Sequence, residues 1–140
     1  MKYMIMMYGS QRDYDMLSGK ATDSPAWTPE EIGALYTFMA EWNKELVESG
    51  EFVDAQGLTP PMHARRVELR DGAPVVTDGP YPETQEVLAG YTIVECASFD
   101  RATEIATRLS RTPHPEHATL ATPWYVDIRP IVEAFGDLET

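Results

Sequence analysis

The feature that most constrains this chain is an order of segments: apolar strand, capped helix, strand, then a hairpin signal, then strand, helix and strand again. Residues 2–8 are short and almost wholly apolar, which reads as a strand buried on both faces. Gly9 ends it. The polar run 9–27 reads as a long irregular loop, pinned in places by Tyr14, Met16, Leu17 and Trp27. Thr28-Pro29-Glu30-Glu31 has the parts of a helix start: a capping hydroxyl, proline at the first helical position and a glutamate that closes a capping box. Ile32, Leu35, Met39, Trp42 and Leu46 follow at spacings of three and four, an amphipathic helix that runs to about Ser49 and stops at Gly50.

The second half repeats the scheme. Residues 52–56 read as a strand ended by Gly57, and Thr59-Pro60-Pro61 as a rigid connector. Residues 64–70 and 74–77 flank Asp71-Gly72, the strongest short hairpin signal. Residues 91–96 form the next strand. Ser98 and Asp100 open a helix with the buried stripe Ala102, Ile105, Ala106 and Leu109, and Thr112-Pro113-His114-Pro115 stops it. Residues 124–129 alternate as a last strand, closed by Pro130, with a final helical turn expected around Ile131, Val132 and Phe135.

Two strand–helix–strand halves with both helices on one face describe a ferredoxin-like α+β sandwich, here a single domain over residues 1–140 with an inserted β-hairpin. The first strand then lies between the strand at 91–96 and the last strand, antiparallel to both. The segments 9–27, 57–90 and 111–123 gather at one edge. The helices leave the other sheet face open, and a homodimer through that face is expected.

Composition narrows the partners. Twenty-three acidic against 11 basic side chains leave a net charge of −12, which repels nucleic-acid phosphates and anionic membranes. No segment approaches the roughly 20 apolar residues of a membrane span, and the apolar start is too short for a signal peptide. The lone Cys96 reads as a buried, inert thiol, so a soluble cytoplasmic protein is expected.

A site is sought where the irregular segments meet. The run from Val76 to Tyr91 holds Asp78, Glu83 and Glu86 with two glycines and two prolines, a stiff ordered loop. Asp78, Asp127 and Tyr91 are the candidate catalytic residues, an acid–base set if the carboxylates share a low-dielectric cleft. Tyr8, Gly79, Pro80, Glu83, Glu86 and Arg129 are the candidate ligand-binding residues around a small-molecule site. Structural readings stand beside these: Asp78 as a turn cap, Glu83 and Glu86 as surface charge, Asp127 and Arg129 as an ion pair. His114-Pro115-Glu116-His117 is too short and too proline-bound to present both rings to a metal, so no metal and no cofactor is expected. Phosphate-loop, dinucleotide, nucleophile-elbow and zinc-protease signatures are absent.

The run Val76-Thr77-Asp78-Gly79-Pro80-Tyr81-Pro82-Glu83-Thr84-Gln85-Glu86 through Gly90-Tyr91 resembles the signature of the DGPF proteins of the YCII-related family. Met1-Lys2-Tyr3 through Tyr8-Gly9, Gly57-Leu58 with Pro60-Pro61, and Val126-Asp127-Ile128-Arg129-Pro130 extend the likeness over nearly the whole chain. Tyr81, Gln85 and Asp127 stand where that pattern has Phe, Lys and Glu. The resemblance implies a ferredoxin-like fold that dimerises into an α+β barrel. It implies either an enzyme with a cleft, although the His/Asp pair suggested for YCII-like proteins has no histidine in the first helix here, or a regulatory module associated with an extracytoplasmic-function sigma factor.

Overall fold

The computed structural model describes residues 1–21, 25–118, 124–134, 136 and 138. In chain order its elements are β1 (Lys2–Gly9), α1 (Gln11–Ser18), α2 (Pro29–Ser49), β2 (Phe52–Gly57), β3 (Arg65–Arg70), β4 (Ala73–Asp78), β5 (Val87–Glu95), α3 (Phe99–Thr107) and β6 (Asp127–Pro130). Short 3-10 turns at Pro61–His63 and Arg108–Arg111 complete the list. The fold is mixed α+β with two antiparallel sheets. Four strands run in the order β2-β5-β1-β6, and β3 with β4 forms a separate two-stranded ribbon.

The placement of β1 between β5 and β6, antiparallel to both, is the one expected from the segment order. Its register fixes the two faces. Across the sheet, Ala55, Thr92, Ile5 and Ile128 form one row, and Gln56, Tyr91, Met6 and Asp127 form the next row on the opposite face. Tyr3, Ile5 and Val94 pack on the helix side with Trp42 and Leu46 from α2 and Ala102, Ile105 and Ala106 from α3. Each large apolar side chain buried there contributes about 1.5–3 kcal/mol. The Trp42 indole N–H also donates to the Ile105 carbonyl at 3.1 Å and ties the two helices together. Met4, Met6 and Tyr8 on the other face are half-buried, so β1 is covered on one face only, not on both.

The caps carry the local logic. Thr28 and Glu31 close a reciprocal capping box, Gly50 ends α2 in the left-handed conformation, and the Ser98 hydroxyl accepts from the Arg101 N–H at 3.0 Å to start α3. Arg101 then forks onto Glu51, at 3.0 Å and 2.8 Å, bracing α3 against the α2–β2 turn. Asp71 and Gly72 both take positive φ, as the tight hairpin turn between β3 and β4 requires.

Four further expectations are corrected. The run 9–27 is not wholly irregular, because it contains α1, with Ser10 and Asp13 in a capping box and Gly19 as a left-handed stop. Met16 of α1 packs with Trp27 and Ala118 in a second small core. The strand expected from Tyr91 begins four residues earlier, at Val87, and pairs with the end of β1 through a bulge between Met7 and Tyr8. The last strand begins at Asp127, not at Trp124, and its pairing with β1 starts at Met6 opposite Asp127. After Pro130 the Ile131 N–H donates to the Lys2 carbonyl at 2.8 Å, and Ile131 and Val132 are not helical; helical conformation of the 3-10 kind appears later, at Gly136 and Leu138, and Phe135 lies outside the described residues.

Candidate functional site

The end of β1 gathers two tyrosine–carboxylate pairs. The bulge lets Tyr8 sit opposite Leu88, and its hydroxyl donates to Asp127 Oδ2 at 2.7 Å. Gly9 pairs with Val87, which brings Glu86, the residue before β5, to the same edge. The Tyr125 hydroxyl donates to Glu86 Oε2 at 2.7 Å, and the Tyr8 and Tyr125 rings lie 5.2 Å apart. Burial, then the hydrogen bond and charge of Asp127, push the Tyr8 hydroxyl up to about 12, with Arg129 opposing. The hydrogen bond to Glu86, then burial, raises the Tyr125 hydroxyl as well. Both phenols therefore stay protonated at neutral pH and act as oriented donors, each to one carboxylate oxygen.

These rings form one wall of a cavity of about 450 Å³. Leu35, Tyr36 and Met39 of α2 form the opposite wall, and Leu109, Ser110, Thr112 and His114 line it on the α3 side. Met7, Trp124 and Val126 complete a lining that is mostly apolar and aromatic with a few polar groups, the usual make-up of a small-molecule site. The His114 ring is anchored through Nδ1, 2.9 Å from the Pro115 carbonyl oxygen, whereas His117 sits 3.2 Å from the Pro25 carbonyl and is not among the lining residues. Among the described residues no three His, Cys, Asp or Glu side chains come together as a metal-ligand group.

The residues singled out in the sequence divide into four places. Tyr8, Glu86 and Asp127 meet in the cluster, with Arg129 one strand pair further along the same face, opposite Met4. Tyr91 shares that face but lies across Met6 from Asp127, about 10 Å away at the usual strand spacing. Its hydroxyl donates to Asp54 at 3.2 Å, a partner the sequence did not suggest, and burial followed by that bond raises its pKa. Asp78 stands apart: it ends β4 and pairs with Arg65 at 2.6 Å, with both side chains about two-thirds exposed.

Gly79 and Glu83, with Pro80 in the chain between them, belong to a brace between the hairpin and α1. The Gly79 N–H donates to the Ala64 carbonyl at 2.8 Å, and the Arg12 N–H donates to the Glu83 carbonyl at 3.0 Å. The Met62 N–H reaches Gln11 Oε1 at 2.8 Å, and the Arg66 guanidinium sits 5.0 Å over the Tyr81 ring. Gly79 has φ +55°, and a Cβ there would meet the Met62 carbonyl oxygen at 3.3 Å, so only glycine fits without strain. Trp124, Tyr36 and Met39 line the cavity although they were not chosen as site residues, and Tyr125, from the strand end that the sequence brought to this edge, lines it too. The alternation of Tyr125 with Asp127 was the sequence signal that set Tyr125 on the same strand face as a candidate carboxylate.

The chain belongs to the YCII-related family: the YCII-related domain model matches residues 1–116. It is similar to the uncharacterized protein R00369 of Rhizobium meliloti (strain 1021), with 33% identity over 85 residues, which is 61% of this chain and 68% of that protein. Among the described residues no helix is long and apolar enough to cross a membrane.

Proposed function

We propose that this YCII-related protein binds a small, largely apolar molecule in the cavity at the end of β1 and orients it with the two tyrosine–carboxylate pairs. The observation that carries this reading is the Tyr8–Asp127 bond beside an aromatic cavity of about 450 Å³. In this reading Tyr8 and Tyr125 face the ligand, and Asp127, which is not among the lining residues, acts as general base through the Tyr8 hydroxyl. Tyr8, held protonated, fixes the orientation of that carboxylate and donates to the ligand or to the carboxylate as the proton moves. Glu86 with Tyr125 forms the second polar contact.

The test is a fragment screen by ligand-observed NMR, with the Trp124 indole and the His114 ring followed as reporters. Hits that shift both signals and bind about tenfold more weakly to Asp127→Asn support the reading. Hits indifferent to Asp127→Asn, or none near Trp124, sink it.

The ferredoxin-like order of elements also supports a homodimer through the open sheet face, closing an α+β barrel. Met4, Met6 and Ile93 form the apolar centre of that face, within a polar frame of Asp54, Gln56, Asp127 and Arg129. Light scattering at micromolar concentration is expected to give twice the chain mass, and Met6→Glu to restore the monomer. A monomeric parent protein contradicts it.

A further inference from the structure

A second cavity, of about 420 Å³, lies beyond the first, and Met7 of β1 and Met39 of α2 line both. Four small residues, Ala55, Gly57, Ala89 and Gly90, stand on its sheet side beside Gln56, Tyr91 and Thr92, and leave space beneath α2. Asn43, one turn along α2 from Met39, closes the far side. Its Oδ1 is buried and has no hydrogen-bond partner among the described residues. A buried acceptor left unpaired costs about 1–3 kcal/mol, so this atom is poised for a donor. No Asp, Glu, Lys, Arg or His lines this second cavity, which disfavours a charged occupant.

We infer that the two cavities form one elongated site, divided by a methionine gate. Its occupant has an apolar body in the first compartment and an uncharged hydrogen-bonding head, an amide or alcohol, against Asn43 in the second. Methionine suits the gate because its unbranched thioether changes rotamer readily and packs against many shapes. The inference rests on the first cavity being a binding site, as proposed above, and adds the length and head group of what it takes.

Hexanamide is the probe, titrated into the full chain carrying 13C-methyl methionine and 15N. A primary amide offers both a donor and an acceptor, so it pairs with either end of the Asn43 amide. The Trp124 indole, the Met7 and Met39 methyls and the Asn43 side-chain amide are expected to move along one saturation curve. Met39→Trp is expected to abolish the response at Asn43 and keep that at Trp124. Asn43→Leu is expected to weaken hexanamide about tenfold. Movement at Trp124 without movement at Asn43, two curves with different midpoints, or unchanged affinity in Asn43→Leu overturns the single elongated site while the first cavity stands. No movement at either residue overturns both readings.

Discussion

The loop at 78–86 and the tyrosine cluster at the end of β1 share a residue, Glu86, yet they are held in opposite ways. The loop is fixed largely by its main chain. Gly79 and Glu83 bond through backbone atoms to Ala64 and Arg12, and Gly79 takes a φ that only glycine adopts freely. The cluster, carried to one edge by strand pairing, is closed by side-chain bonds, Tyr8–Asp127 and Tyr125–Glu86. A stretch dense in glycine, proline and carboxylates can thus be conspicuous because it builds the frame. The groups free to act sit where that frame delivers them, at the first residue of β6 and the last turn of the loop before β5.

This contrast can be broken from the side of the loop first. Gly79→Ala is expected to destabilise the fold by about 1–2 kcal/mol, from the left-handed backbone and the contact with the Met62 carbonyl. Urea unfolding measures it, and the folded variant should keep the Tyr8–Asp127 bond intact. An unaltered midpoint would show that the loop is not a brace. Asp78→Asn is expected to cost less than about 0.5 kcal/mol, since its bond to Arg65 is exposed on both partners. It should leave fragment binding at Trp124 unchanged; a tenfold loss would return Asp78 to the site.

Much of the frame was legible. Thr28 with Glu31, Gly50 and Ser98 marked helix ends, and the stripe from Ala102 to Leu109 marked a buried face, because caps and periodicity are local signals. The helix α1 was missed because Met16 is its one well-buried residue, so no apolar stripe drew attention to the Ser10–Asp13 box and Gly19. Of the site, the convergence of Tyr8 and Asp127 followed from strand order. The pairing of Tyr91 with Asp54, of Tyr125 with Glu86 and of Asp78 with Arg65 did not follow. Those choices depend on a bulge, on strand ends and on which face each side chain takes, and one skipped residue such as Ala89 in the β1–β5 register resets them.

The central claim is that the Tyr8–Asp127 pair, and not the acidic loop, is the chemically tuned part of the molecule. Folding raises the Tyr8 pKa from 10.0 to about 12, so its contribution to stability is complete below pH 10 and is lost as the pH rises towards 12. The direct measurement is the Tyr8 ring Cζ shift against pH, by 13C NMR, in the parent protein and in Asp127→Asn. The account predicts that Tyr8 is still protonated at pH 11 in the parent and titrates closer to its ordinary value in Asp127→Asn. A Tyr8 that titrates near pH 10 in both proteins would contradict it.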